Sequence, residues 1–357
     1  MRLRVLLVCV TLLPMAAALA GKGSYPRGDL SNTGVIKGKG PTKEPKVVWS
    51  QEEASDVMGP AAVLDGRVFY AVGNNAFLCR DASTGKELWS KKVKQAILSA
   101  PLAVGKFLYV GGQDSVHYRI EVANGNEPPY ADDARGPIIA APAVTGTHYL
   151  NGSLDGFFYA LSVEDGRLLW RFETGPVHHA AAVAKRALFV VNERGTLIGL
   201  DLKKGRELWR FEAKADPVGP PMLDGKSILL PVVDRLIQVN ANTGESEREC
   251  ATPGIAVAPV LRKSILHYGT RDGEVVCYDL KKGKELGRTK VGDRAISTGL
   301  VQAGNLIYGA ADEVLFAVDP SKCRIVWSFA AKAPFAPPVV ADKCIYVGAG
   351  TTFYCLK

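Results

Sequence analysis

The sequence predicts an all-β chain folded as an eight-bladed β-propeller, with four-stranded antiparallel blades and a ring closed by an N-terminal strand. Three observations carry that prediction. A phrase returns every 39 to 41 residues, the same order of short strands fills each return, and the last return stops before its fourth strand.

The phrase is plainest in "LDLKKGRELWRF" (Leu200 to Phe211) and "YDLKKGKELGRT" (Tyr278 to Thr289). Aligned on its terminal aromatic, the marker falls at Trp49, Trp89, Tyr130, Trp170, Trp209, Arg248, Gly287 and Trp327. Eight markers at this period describe eight copies of one supersecondary unit, none of which buries its apolar face alone. Within a unit, Ala-Pro leads a short apolar strand and a turn leads a β-rich strand such as "FLYV" or "LFVV". A polar tip then precedes a third strand, and a Gly turn leads into the Trp strand. Four short strands per repeat make a propeller blade.

The turn "DASTGKELW" (Asp81 to Trp89) has a reason for each residue type. Asp81 and Thr84 can bond neighbouring backbone groups, and Gly85 takes the left-handed conformation of a tight reversal. Gly166, Gly205, Gly244 and Gly283 recur there, whereas Cys323 does not fit and predicts a strained or rebuilt turn. A Trp on the outer strand can wedge between blades. Burial of about 150–250 Å² at about 25 cal/mol/Å² gives roughly 4–6 kcal/mol gross per ring. Trp49, Trp89, Tyr130, Trp170, Trp209 and Trp327 are therefore expected to dock neighbouring blades, and Arg248 and Gly287 to mark joints held by other contacts. The last unit, "FAPPVVADKCIYVGAGTTFYCLK", lacks its Trp strand, and "PKVVWS" (Pro45 to Ser50) supplies one.

Ahead of the ring, Arg2 and Arg4 precede the run "VLLVCVTLLPMAAALA" and small residues, the layout of a secretory signal peptide. The expected organisation is a signal peptide over 1–20, an extended leader over 21–44 and the propeller over 45–357. No transmembrane segment is expected after cleavage. Val8 before Cys9 does not match a lipidation signal, so the expected location is periplasmic or secreted. Loss of Arg2 and Arg4 lowers the net charge from +8 by two, and no dense Lys/Arg block suggests nucleic acid.

Of the seven cysteines, Cys79, Cys277 and Cys355 share a small-residue position with Ala160 and Ala317, which predicts buried packing. Cys250, Cys323 and Cys344 fall outside that register, and a Cys323–Cys344 bridge between the last two units is one candidate. No CxxC supports structural zinc.

The phrases "CRDASTGKELW" (Cys79 to Trp89), "GLDLKKGRELW" (Gly199 to Trp209) and "AVDPSKCRIVW" (Ala317 to Trp327) resemble the tryptophan-docking motif of propellers related to pyrroloquinoline-quinone (PQQ) dehydrogenases. The likeness runs from Lys46 to Lys357, and "YPRGDLSNTG" (Tyr25 to Gly34) is similar to the leader of bacterial members. The resemblance implies either a quinoprotein dehydrogenase or a non-catalytic scaffold similar to the outer-membrane assembly factor BamB. The catalytic branch typically carries adjacent cysteines, a Trp floor and Ca²⁺ ligands. Here no cysteines are adjacent and every Trp belongs to the outer-strand register. No Trp-Asp dipeptide supports a WD40 propeller.

Candidate chemistry is sparse. His178 and His179 lie on one connection between blades, but neighbours on an extended chain point to opposite faces, which argues against a shared metal. Asp155-Gly156 and Asp272-Gly273 read as hairpin turns. His117, His148 and His267 lie singly on or beside strands, outside any catalytic constellation. The basic turns "LKKGRE" and "LKKGKE" project from one face. The reading is therefore a monomeric binding or assembly scaffold for an envelope or secreted protein, with no cofactor. Asp56, His178, His179, Asp216 and Arg294 are the candidate partner-binding residues. The alternatives are a small dehydrogenase with PQQ and Ca²⁺, and an extracytoplasmic sensor module.

Overall fold

The computed structural model describes residues 23–128 and 134–357, so the expectations placed on residues 1–20 and on Tyr130 lie outside the described residues. Every regular element among the described residues is a strand, and the strands form eight separate sheets. Blade one holds Val57–Leu64, Arg67–Val72, Ala76–Asp81 and Glu87–Lys92 in antiparallel order from the ring axis outward. Blades three to seven repeat this pattern from Ala143 to Ala330. Blade two contributes Leu102–Val104, Phe107–Gly111 and His117–Glu121, with Gly23–Ser24 paired to its inner strand.

Blade eight is built from both ends of the chain. Val339–Ala341, Cys344–Ala349 and Thr352–Leu356 are completed by Val47–Glu52, antiparallel to the last of them. Backbone bonds from Lys46 N to Lys357 O (2.8 Å) and from Lys357 N to Lys46 O (2.9 Å) finish the seam. Eight apolar clusters each span two consecutive blades, including blades eight and one, so the core lies between sheets all the way round.

The outer-strand Trp residues clasp these joints. Each indole Nε1 donates to a carbonyl just after the third strand of the next blade: Trp49 to Ala82, Trp89 to Val122, Trp170 to Leu202 and Trp209 to Ala241, at 3.0–3.1 Å. The ring lies over the Gly of the neighbouring turn. A Cβ on Gly85 would sit 2.7 Å from Trp49 Cδ2, and one on Gly205 would sit 2.3 Å from Trp170 Cδ2. The repeated Gly thus serves two needs, a positive φ and room for the preceding blade's Trp.

Where the Trp is missing, other groups reach the same acceptors. Arg248 Nη1 donates to Leu280 O and its guanidinium lies over Gly283, in the manner of the indoles. Arg119, on the third strand of blade two, donates to Val163 O at 2.9 Å and to Glu164 O at 2.6 Å. Trp327 finds its acceptor in the leader, at Pro41 O (3.1 Å).

At Gly287 the joint is covalent: Cys277 is bonded to Cys323. This corrects the packing role expected of Cys277 and the candidate Cys323–Cys344 bridge. Cys277 lies directly opposite Gly287, and Cys323 holds the turn position of the next blade at φ 48°. The two sulfurs meet in the space that an indole fills elsewhere. His267 Nε2 approaches Pro320 O, the acceptor of that joint, at 3.4 Å. Because a carbonyl only accepts, that nitrogen carries the proton. Burial pushes the His267 imidazole down to about 4. Cys79 and Cys355 are buried with free thiols, in line with packing.

The leader runs along the inner edges of successive blades. Val183, Leu223, Leu261 and Gln302, on the inner strands of blades four to seven, donate their N–H groups to Leu30, Ser31, Thr33 and Gly34 carbonyls at 2.7–2.9 Å. Val35–Ile36 continues as a short parallel strand on blade seven. Arg27 is partly buried on the inner side of the ring, where Nη1 donates to Leu300 O (2.7 Å) and Nη2 to Pro259 O. Desolvation pulls its guanidinium down to about 10, against a favourable interaction with Asp29.

Candidate functional site

Strand alternation gives the ring two unlike faces. Turns between first and second strands and between third and fourth strands share one face, here called the turn face. The second-to-third turns and the connections between blades share the other, the loop face. Asp56, His178, His179, Asp216 and Arg294 all lie on blade-to-blade connections, and so on the loop face, ahead of blades one, four, five and seven.

The structure distributes these residues around a rim rather than converging them. Asp56 is exposed, and its carbonyl accepts the Gly73 N–H at 2.8 Å. His178 Nε2 lies 3.6 Å from Glu193 Oε2. Asp216 is exposed, and its carbonyl accepts the Val233 N–H at 3.0 Å. Arg294 Nη1 bonds Asp312 Oδ2 at 2.5 Å while its side chain stays 77% exposed. His179 differs from the rest. Burial pushes its imidazole down to about 4, with a bond to the Pro217 backbone acting in the opposite sense. It therefore joins two blade connections and is only partly open to solvent.

The Asp-Gly tips are turns. Asp155 Oδ1 accepts the Phe157 N–H at 2.9 Å, Oδ2 accepts the Tyr159 hydroxyl at 2.6 Å, and Gly156 has φ 90°. A Cβ on Gly273 would sit 2.2 Å from Gly292 O, which fixes glycine there. Among the described residues no group of three or more His, Cys, Asp or Glu side chains is placed to hold a metal ion. His117 is fully buried between blades two and three, 3.3 Å from the Tyr149 hydroxyl, and desolvation pushes it down to about 3. No helix among the described residues is long and apolar enough to cross a membrane.

Sequence reasoning missed Glu193 and Asp312, which pair with His178 and Arg294 across second-to-third turns. It also missed the Glu53–Arg80–Tyr70 cluster beneath the rim at the ring seam. Arg80 Nη2 lies 2.9 Å from Glu53 Oε1, and the Tyr70 hydroxyl donates to the same oxygen at 2.5 Å. A conserved tip spacing across units would point to the first two; nothing in the period points to the third. A cleft of about 470 Å³ opens elsewhere, beside the leader, lined by Ser24, Tyr25, Ile36, Lys37 and Val339 among others.

A family model described as outer membrane protein assembly factor BamB matches residues 42–128, 154–249 and 271–355. A curated relative, the outer membrane protein assembly factor BamB of Bordetella pertussis, is 30% identical over 147 residues, 41% of this chain and 37% of that protein. The match thus spans little more than a third of the relative's length. Among solved structures, BamB from Moraxella catarrhalis superposes with a TM-score of 0.72 at 16% identity, covering 88% of this chain and 97% of that one. The quinohemoprotein alcohol dehydrogenase of Comamonas testosteroni gives 0.79 at 12% identity, covering 93% and 80%. The computationally designed Ika8 protein gives 0.78 at 16%, covering 87% and 99%. At these identities the structural likenesses establish the fold alone.

Proposed function

The chain belongs to the family described as outer membrane protein assembly factor BamB, and from that premise we propose that it is an envelope assembly scaffold that captures a protein partner on its loop face. The observation that carries this reading is the family match, which runs through most of the ring. The loop face supports it with an exposed rim of mixed charge in which Asp56, His178, Asp216 and Arg294 have polar groups open to solvent. Such a rim needs no bound cofactor, and rim charges act chiefly on encounter and partner choice.

The test is a fourfold substitution, Asp56→Ala, His178→Ala, Asp216→Ala and Arg294→Ala, which leaves the interblade His179 alone. It should weaken cross-linked capture of outer-membrane protein precursors and fail to restore their assembly in cells lacking the chain. The melting temperature should fall by no more than about 4 °C, the scale of roughly 1–2 kcal/mol for a domain of this size. Unchanged capture would move the partner site off this rim. Saturable PQQ binding in the presence of Ca²⁺, with dye-linked alcohol or sugar oxidation, would replace the scaffold reading with the dehydrogenase one. A soluble ligand that alters partner capture would favour the sensor.

A further inference from the structure

The two faces differ in charge as well as in construction. Exposed cations stand on the turn face around most of the ring, including Lys86, Lys185, Lys204, Lys226, Lys281 and Lys343. Lys203 and Lys204 are adjacent on one turn and Lys281 and Lys282 on another, two blades away. Lys203, Lys204 and Lys281 have no ion-pair partner among the described residues, whereas Lys282 lies 3.8 Å from Asp279 Oδ2. The loop face mixes exposed Asp56, Asp216, Asp234, Asp272 and Glu313 with exposed Lys94, Lys214, Arg271 and Arg294. Exposed cations outnumber exposed acids on the turn face, whereas the two signs nearly balance on the loop face.

A second observation concerns the same side. The large apolar residues exposed among those described are Val47, Val48, Leu88, Leu169, Leu208, Leu286, Ile325 and Val326. Every one lies within the first three residues of an outer strand, at its turn-face end. At about 3.3 Å of rise per residue, they form a broken belt within roughly 10 Å of that face. The alternation of the outer strand explains their exposure. Leu208 precedes Trp209 and points away from the joint that the indole clasps.

We propose that the turn face docks on an anionic lipid bilayer. Cations at headgroup level with aliphatic side chains beside them are the chemistry of interfacial binding, in which apolar groups enter by about 5–10 Å. The arrangement also selects a planar partner over a globular acidic protein. The lysines and the aliphatic belt are spread around the circumference, so a flat surface meets them together while a compact protein meets a few. The loop face would then project away from the lipid. This inference does not depend on the scaffold reading, because the two concern opposite faces and their variants share no residue.

The experiment is co-sedimentation with phosphatidylcholine vesicles, with and without about a third phosphatidylglycerol, at low and high salt. Parent and variants share the same N-terminus, whose contribution cancels in the comparison. The parent should bind the anionic vesicles at least tenfold more tightly than the neutral ones, and less so at high salt. Lys203→Glu, Lys204→Glu, Lys281→Glu and Lys282→Glu together should lower the anionic partition by more than a hundredfold, at about fivefold for each basic residue near the surface. Leu88→Ser with Leu208→Ser should remove severalfold of the binding that survives high salt, without altering the near-ultraviolet spectrum of the fold. Equal partition onto both vesicles, or unchanged binding by the charge-reversed variant, would overturn the proposal. So would binding to soluble polyglutamate with none to vesicles, which would make the face a protein dock.

Discussion

The covalent joint between blades six and seven permits an exchange experiment. If the Cys277–Cys323 disulfide stands in for the absent indole, removing the bond and restoring the indole should be opposite operations at one place. Cys277→Ala with Cys323→Gly releases a link across 46 residues. Chain entropy assigns about 4 kcal/mol to a loop of that length. With an unfolding entropy of roughly 2.1 cal/mol/K per residue over about 330 described residues, this corresponds to a fall of about 6 °C in Tm. Adding Gly287→Trp to that background gives the indole a glycine to lie on, as Trp49 lies on Gly85, and Pro320 O as an acceptor. A docked ring contributes roughly 4–6 kcal/mol gross before ordering entropy, so the triple variant should regain more than half of the loss.

The same geometry predicts the reverse sign for Gly287→Trp alone. A Cβ at residue 287 would lie 3.4 Å from Cys323 Cβ, so the indole and the disulfide compete for one volume. That variant should melt below the parent, whereas in the disulfide-free background the same substitution stabilises. Thermal unfolding of the four proteins under oxidising conditions decides the matter, and reductant added to the parent should reproduce the double variant. A neutral Gly287→Trp, or a triple variant no more stable than the double, would refute the shared-volume argument.

Other expectations follow from the seam, the buried imidazoles and the leader. Arg80→Met leaves the Glu53 carboxylate, whose side chain is 8% exposed, without its cation, and should destabilise by about 3–5 kcal/mol; adding Glu53→Gln should recover part of this in a denaturant titration. His117, His179 and His267 titrate at about 3, 4 and 4 in the fold, below the ordinary 6.5. The unfolded chain therefore binds protons that the fold refuses, so stability is full above pH 6.5 and falls as the pH drops towards 4; His267→Gln, able to donate to Pro320 O, should flatten that fall. Arg27→Leu removes the two bonds that anchor the leader to blades six and seven, and limited proteolysis should then cut between residues 27 and 41 while the blades stay resistant; equal resistance of leader and blades would remove Arg27 from that role.

What the sequence made legible is what repeats. A fixed period exposes the blade number, the strand order and the seam, because each unit solves the same packing problem and writes the same residues to solve it. The leader was visible as a segment, but its pairing with the inner strands escaped because it solves a different problem once. Its carbonyls satisfy the inner edges of blades four to seven, and backbone pairing of an irregular segment leaves no side-chain pattern. Topology puts the rim residues together on the loop face, yet their neighbours Glu193 and Asp312 were not foreseen, since each contact joins positions that the period does not relate.

The departures from the period were the more informative signal, and they are informative in pairs. Gly287 loses the indole in one unit and Cys323 fills the turn glycine in the next, and these positions face each other across a single joint. Read separately, each suggests a weak blade; read together, with Cys277 opposite Gly287, they specify a substitute clasp. Arg248 makes the same point with one residue, because a guanidinium over Gly283 reaches the carbonyl that an indole would have reached. In a closed ring every joint must be closed, so a missing clasp is evidence for a replacement at the facing position of the neighbouring blade. That rule turns attention to the joint of Tyr130, where Arg119 already holds the Val163 carbonyl. Arg119→Met should therefore loosen blade two from blade three, read as faster hydrogen exchange in Phe107–Gly111 and His148–Gly152. Unchanged protection on both strands would show that Arg119 is not the clasp of that joint.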